Sequence, residues 1–107
     1  MPTYNKLVRN QIPAIIQQAG KLPKTTVLDQ VRYVEELKVK LLEEANELCK
    51  ADEQNEVVEE AADLLEVLYA LLDAKGITLE DIEHVRRQKK KERGGFEERI
   101  FLKEVNK

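Results

Sequence analysis

The sequence predicts an all-α fold, and three observations support this. Charged residues make up 36% of the 107 positions and aromatic residues only 5%, while the chain has only 4 glycines and 3 prolines. This composition favours helices with solvated faces over a sheet-rich fold. Apolar residues also recur at helical spacing over two long stretches, which argues against disorder. The length suits one domain, to which we assign residues 1–107.

A short first helix is predicted between Leu7 and Ala19. Isoleucines at positions 12, 15 and 16 supply its apolar side chains. Pro13 is acceptable in the first turn of a helix, and Gly20 is a suitable residue to end it. The segment 25–28 that follows is β-prone but too short to form a strand on its own.

Two long helices form the centre of the predicted fold. The first begins after Asp29, a suitable N-cap, and continues to about Lys50. After a polar break at 51–55, the second runs to Lys75 and is stopped by Gly76. Each helix carries one apolar stripe, formed by Val34, Leu37, Leu41, Ala45 and Leu48 on the first and by Val57, Ala61, Leu64, Leu68 and Leu71 on the second. We expect the two helices to pack antiparallel.

A fourth helix and a terminal strand complete the prediction. Thr78 with Asp81 resembles a capping box, with Asp in place of the usual Glu or Gln, and the helix it opens ends at Gly94 and Gly95. Residues 99–103 then alternate polar and apolar side chains as a strand does. We therefore expect a minor two-stranded β element in which 25–28 pairs with 99–103.

The charge pattern narrows the class of partner. The net charge is -3, with acidic residues crowded between 35 and 83 and basic residues between 86 and 93. A nucleic-acid binder usually presents a net positive face, so no nucleic-acid partner is expected. An acidic pocket that handles phosphate needs a cation between the two.

The sequence also predicts where the protein works. Cys49 is the only cysteine, so no internal disulfide can form and nothing indicates an oxidising compartment. The N-terminal residues lack the apolar core of a signal peptide, and no apolar run has the length of a membrane span. We expect a cytoplasmic protein with no membrane partner.

Two pairs of acidic residues lie at the borders of the apolar stripes. Glu44 with Glu47, and Glu60 with Asp63, each place two carboxylates on one side of a helix. With 21 acidic residues in the chain this spacing also arises by chance, so a solvated helix face is the alternative interpretation. If the stripes pack together, the pairs converge and repel one another unless a cation such as Mg²⁺ binds between them. The acids expected to face solvent, opposite the stripe of the second helix, are Glu59, Glu66 and Asp73.

Four segments carry a resemblance to a known enzyme superfamily. Residues 41–48 (LLEEANEL) followed by 59–65 (EEAADLL) resemble the paired motifs of MazG-like nucleoside triphosphate pyrophosphohydrolases. The opening 4–9 (YNKLVR) and the closing 89–96, with its Lys-x-x-x-Arg-Gly-Gly-Phe pattern, are similar to a small single-domain branch described as phosphoribosyl-ATP pyrophosphohydrolase-like. Asn10 departs from that branch, which commonly has Asp after Val-Arg.

The resemblance implies a MazG-like helical bundle and a hydrolase acting on acid anhydrides. It implies Mg²⁺ dependence, with Mn²⁺ as an alternative ion, and cleavage of nucleoside triphosphates (NTP or dNTP) to the monophosphate and pyrophosphate, as in nucleotide-pool house-cleaning. By position, the metal ligands and catalytic residues would be Glu44, Glu47, Glu60 and Asp63, one of which orients the attacking water. Phosphoribosyl-ATP or dUTP is the alternative substrate.

Basic residues and surplus apolar residues complete the hypothesis. Lys89 and Arg93 lie four apart on the last helix and can meet substrate phosphates together, unless they only balance charge. Lys6 and Arg9 have the same two interpretations.

The apolar residues left over from the two stripes, which would face a second subunit in a homodimer or a tetramer of dimers, are Leu42, Leu65 and Leu72. A non-catalytic helical oligomerisation module is the competing interpretation of the whole chain.

Overall fold

The computed structural model describes residues 4–107 and is built from helices. In chain order they are α1 (Ile12–Gln18), α2 (Gln30–Lys50), α3 (Gln54–Ala74) and α4 (Leu79–Arg93). The all-α prediction is therefore confirmed. The chain divides into two units, Met1–Gly76 with α1 to α3 and Ile77–Lys107 with α4.

Helix α1 is shorter than the sequence predicted, because the chain before Ile12 is not helical. Pro13 stands at the start of the helix, where its missing N–H has no intrahelical partner to lose. Gly20, with a φ of 83°, takes the left-handed conformation that ends the helix, and its N–H donates to the carbonyl of Gln17 at 2.9 Å.

Helices α2 and α3 form an antiparallel hairpin, as predicted. The Asp29 side chain caps α2 by accepting a hydrogen bond from the Arg32 N–H at 2.8 Å. The connection between the helices spans only residues 51–53, too short for any arrangement except antiparallel neighbours. At the open end of the hairpin, Gln30 Nε2 donates to the Ala74 carbonyl at 2.9 Å. This bond joins the first residue of α2 to the last residue of α3.

Helix α4 belongs to the second unit and begins at the predicted cap. Thr78 Oγ1 accepts a hydrogen bond from the Asp81 N–H at 3.2 Å, and Gly94, with a φ of 82°, follows the last helical residue. Arg86 donates two hydrogen bonds, of 2.9 and 2.8 Å, to the Glu83 carboxylate, and these bonds lower the pKa of Glu83. The bonded pair stabilises the exposed surface of α4.

The predicted pairing of 25–28 with 99–103 is wrong, since no β-strand forms anywhere in residues 4–107. The apolar side chains of both segments stay in solvent: Val27 is 96% exposed and Phe101 is 86% exposed. Arg99 also has a φ of 56°, which interrupts an extended chain, and its N–H closes a turn on the Phe96 carbonyl. A two-stranded ribbon without a covered apolar face is at best marginally stable in water, so alternation alone does not produce it.

Candidate active site

The packing register of α2 and α3 determines where their acidic residues lie. Leu37 and Val67, the two buried side chains of the described residues, mark the seam between the helices. Glu44 lies seven residues, or two turns, after Leu37, and Glu60 lies seven residues before Val67. Because the helices are antiparallel, both glutamates lie at the same level of the seam, towards the 51–53 connection. The apolar seam therefore continues into an acidic cluster.

Three carboxylates meet at this level. One carboxylate oxygen from each of Glu44, Glu60 and Asp63 lies within 4.8 Å of the others. Asp63 follows Glu60 by three residues, so both side chains leave the same side of α3. All three residues are half-buried, which limits the hydration of their charges. Of the four carboxylates expected to converge, Glu47 is exposed and lies outside this cluster.

Glu60 lies in an electrostatically unfavourable environment for a negative charge. Partial burial raises the pKa of Glu60, and the negative charges of Asp63 and Glu44 raise it further. Smaller contributions of the same sign come from Glu47 and Glu59. Glu47 thus acts on the cluster through its charge although its side chain stands apart. A group of like charges in this state favours any cation that binds among them.

Two basic side chains already partner the cluster. Arg9 Nη2 donates to Asp63 Oδ1 at 2.7 Å, and Lys40 Nζ lies 3.9 Å from Glu44 Oε1. The Lys40 and Glu44 side chains are only 19% and 15% exposed, so water screens this pair less than an ordinary surface pair. Glu60 takes part in no ion pair within the described residues.

The donor set suits a hard divalent cation. Carboxylate oxygens are the ligands that Mg²⁺ and Mn²⁺ prefer, and Mg²⁺ commonly uses a few carboxylates while its remaining positions hold water or phosphate oxygens. Glu44, Glu60 and Asp63 supply three such groups from two helices, with Glu47 one turn from Glu44. Their mutual repulsion would be relieved by the ion, which gives the cluster a physical reason to bind one.

An open cavity of about 510 Å³ adjoins the cluster, entirely within the first unit. The N-terminal segment 6–12 forms one wall, and α2 and α3 form the others. Lys6 and Arg9, two of the expected substrate-binding residues, line it beside Glu44 and Asp63. The volume falls within the range of about 300 to 1,000 Å³ that small-molecule sites occupy.

Three polar residues of α2 and α3 line the cavity although they were not among the expected site residues. Lys40 stands one turn before Glu44, a spacing that could have indicated the ion pair. Tyr33 stands one turn before Leu37 and lines the cavity with it. Glu66 was expected to face solvent and is indeed exposed, yet it also lines the cavity. The position of the segment 6–12 against the hairpin creates this wall, and helical periodicity alone carries no signal for it.

The other expected substrate-binding residues lie in the second unit. Lys89 and Arg93 are one turn apart on α4, both exposed, with Arg93 as the last helical residue. Lys90, Lys91 and Arg93 occupy the last turn, where positive charge complements the helix dipole. That favourable placement explains the basic run without a ligand, so a phosphate-binding role for the pair stays a prediction.

Comparison with known families identifies the type of enzyme to which the chain belongs. The family model for phosphoribosyl-ATP pyrophosphohydrolase matches residues 14–90, most of the chain and all three cluster residues. The chain belongs to the phosphoribosyl-ATP pyrophosphohydrolase family. No curated protein and no solved structure shows a significant match to it.

Membership in the phosphoribosyl-ATP pyrophosphohydrolase family confirms the resemblance carried by the paired acidic motifs and fixes the reaction class. The chain is a pyrophosphohydrolase that acts on an acid anhydride of a nucleotide. The matched span includes the whole α2–α3 hairpin and stops within α4. None of the helices described in residues 4–107 is long and apolar enough to cross a membrane.

Proposed function

We propose that this pyrophosphohydrolase cleaves nucleoside triphosphates to the monophosphate and pyrophosphate in a Mg²⁺-dependent reaction that removes unwanted nucleotides from the cytoplasmic pool. The observation that carries the proposal is the convergence of Glu44, Glu60 and Asp63 within 4.8 Å, from two helices, beside an open cavity. A pyrophosphohydrolase needs a site that accommodates the negative charge of the substrate phosphates. This cluster, with a cation, is such a site.

In this proposal, three carboxylates bind the metal ion and a fourth activates the attacking water. Glu44, Glu60 and Asp63 would hold Mg²⁺ or Mn²⁺, which when bound neutralises phosphate charge and polarises a phosphoryl oxygen. Glu47, exposed and one turn from Glu44, would orient a water and accept its proton through a carboxylate oxygen. The water oxygen bonds to the α-phosphorus as the bond to the pyrophosphate oxygen breaks.

The basic residues of the cavity assist the departing phosphates. Lys6 and Arg9 line the cavity on the N-terminal side, within the same unit as the carboxylates. Guanidinium and ammonium groups form strong hydrogen bonds to phosphate oxygens, and they stabilise the charge that collects on leaving pyrophosphate. The phosphate-binding role of Lys89 and Arg93, on α4, stays a separate prediction.

A substrate panel with one matched pair of variants tests the proposal. Purified protein with Mg²⁺ should release pyrophosphate from several NTPs and dNTPs, and Asp63→Asn should reduce the rate at least about 100-fold, because a charged ligand at the reacting phosphate is lost. Asp73→Asn, an exposed change on the same helix, should keep the wild-type rate. Wild-type turnover by Asp63→Asn would exclude the cluster as the active site.

The family match favours one alternative substrate enough to include it in the panel. The matched family is described by its action on phosphoribosyl-ATP. Release of pyrophosphate from phosphoribosyl-ATP alone, with no turnover of NTPs, would replace the proposed substrate class and leave the carboxylate roles unchanged. Turnover restricted to dUTP would do the same. No turnover of any of these, with or without Mg²⁺, would favour the non-catalytic helical module.

We also propose that the protein works as a homodimer or as a tetramer of dimers. Among residues 4–107 only Leu37 and Val67 are buried, which is too small a core for a chain of this length. Leu42 is 72% exposed and Leu65 44% exposed, on faces of α2 and α3 turned away from the seam. With Leu72, which is half-buried, they would be covered by a second copy through a symmetric helix-to-helix contact.

A further inference from the structure

The cavity beside the carboxylate cluster changes character along its length. At one level its lining consists of Glu44 and Asp63 with their partners Arg9 and Lys40. Further along the hairpin, away from the 51–53 connection, the lining becomes Leu37 and Val67, together with the exposed Glu66 on α3, and then the residues Tyr33 and Ala70. The first step covers about two helical turns on α2 and one on α3, and the second covers about one turn on each helix. The cavity therefore leads from a charged end to a mainly apolar end.

The distance between the two ends has the scale of a nucleotide. Glu44 and Tyr33 are eleven residues apart on α2, which corresponds to about 16 Å at 1.5 Å of rise per residue. With a divalent cation held by the carboxylates, a ligand that fills this space would carry negative charge at one end and a flat apolar group at the other. A nucleotide has this combination, since its phosphates and its base lie at opposite ends of the sugar.

Tyr33 is suited to receive the flat end of such a ligand. It is half-buried and lines the cavity. Among the described residues it is the one aromatic side chain in the lining. Ala70 on α3 lines the same end of the cavity and occupies little space there, because its side chain is a single methyl group. Bases of every kind have a π-face and stack on such rings with little preference for sequence.

We propose that the base of the substrate stacks on Tyr33 beside Ala70, with its phosphates directed along the cavity to Glu44 and Asp63. This inference rests on the proposed function, since it orients the same substrate in the same site. It adds a reason for broad substrate use, because stacking discriminates weakly between bases. The tyrosine is a binding contact for the base and takes no part in the cleavage itself.

Binding of separate fragments tests this orientation without any turnover. Saturation-transfer NMR and calorimetry would measure the Kd of AMP, CMP and inorganic pyrophosphate for the Mg²⁺-loaded protein. Tyr33→Ala should weaken both monophosphates by about fivefold or more, the effect expected for one lost base–aromatic contact. It should leave the Kd of pyrophosphate within about twofold. Tyr33→Phe keeps the ring and should bind all three probes as the wild type does.

Two further variants check that the effect of Tyr33→Ala is specific to the cavity. Tyr69→Ala removes the same side chain from an exposed position on α3 that does not line the cavity, and should leave all three Kd values unchanged. Ala70→Met fills the apolar end without removing the ring, and should weaken the monophosphates but not pyrophosphate. This variant decides the question if Tyr33→Ala does not fold.

The outcomes separate this inference from the proposed function. Unchanged monophosphate affinity in Tyr33→Ala or Ala70→Met, or an equal loss of monophosphate and pyrophosphate affinity, would overturn the stacking site. Both results are compatible with active hydrolysis. Conversely, selective loss of monophosphate binding would support the orientation even if the wild-type protein turned over no NTP. In an active enzyme, Tyr33→Ala should raise KM for NTPs and change kcat little.

Discussion

Arg9 donates a 2.7 Å hydrogen bond to Asp63, a residue 54 positions later in the chain. The bond ties the N-terminal segment to α3 and helps to form the wall of the cavity. It also places a guanidinium against one of the three carboxylates that would bind a divalent cation. The two side chains are 57% and 45% exposed, so the arrangement is accessible to solvent and can rearrange. A divalent ion bound at the cluster would therefore compete with Arg9 for the same oxygen.

Replacement of Arg9 by glutamine is expected to strengthen binding of Mn²⁺ to nucleotide-free protein by about threefold or more, since a competing cation is removed. Thermal stability should change little, because a half-exposed ion pair contributes at most about 1 kcal/mol. Titration followed by electron paramagnetic resonance gives the Mn²⁺ affinity. Lys6→Gln, which removes a charge from the same cavity without breaking a carboxylate pair, is the control. Equal gains in both variants would contradict direct competition.

Replacement of Glu60 by glutamine is expected to raise the melting temperature of metal-free protein at pH 8. Burial and neighbouring carboxylates raise the pKa of Glu60, so folding favours its protonated form. The ionised group costs stability above the raised pKa, and this cost disappears below the ordinary glutamate value of about 4.3. The gain from Glu60→Gln should therefore fade as the pH falls to 4. Glu66→Gln, an exposed change on the same helix, should show no such gain, and a pH-independent gain would argue against this explanation.

Glu44 and Glu47 are expected to differ as metal ligands, although the sequence motif predicts the same metal-binding role for both. Glu44 lies in the three-carboxylate cluster and Glu47 does not. Glu44→Gln should weaken Mn²⁺ binding by about tenfold or more, whereas Glu47→Gln should weaken it less and act mainly on kcat. Calorimetry and steady-state kinetics on both variants separate the two effects. An equal loss of metal affinity would mean that both side chains bind the ion.

Replacement of Leu42 by glutamate is expected to convert the proposed dimer to monomer. A charge buried in an apolar helix interface is strongly unfavourable, and a symmetric interface would contain it twice. Sedimentation velocity across a range of protein concentrations gives the result. Leu22→Glu, at a 95% exposed position in the segment before α2, is the control for the added charge. A monomeric wild-type protein would rule out the dimer proposal directly.

Helical periodicity and capping chemistry were sufficient to predict most of the fold. Asp29 and Thr78 cap α2 and α4 as their side chains predicted, because an N-cap bond depends only on residues within the same turn. The convergence of Glu44 with Glu60 and Asp63 was also accessible, since border positions on two stripes meet when the stripes pack. These are local rules, applied once to each helix.

The remaining features depend on the tertiary position of segments without strong periodicity. The segment 6–12 forms the cavity wall and brings Arg9 to Asp63, a contact for which the sequence contains no spacing rule. Glu47 lies only one turn from Glu44, and both border the apolar stripe of α2. A helical-wheel projection cannot distinguish a half-buried position at that border from an exposed one. The predicted strand 99–103 failed because alternation specifies a strand only where a partner surface covers one face.

The heptad spacing from Leu37 to Glu44 and from Glu60 to Val67 determines which insertions and deletions the hairpin can accept. One residue inserted within either interval would rotate the adjoining carboxylate by about 100° around the helix, away from the seam. The carboxylate cluster and the buried seam could then not both form. Extra residues in the 51–53 connection would leave both intervals unchanged. Within the hairpin, length variation among active homologues should therefore occur in that loop rather than in either interval, and engineered tags or reporters are best inserted there.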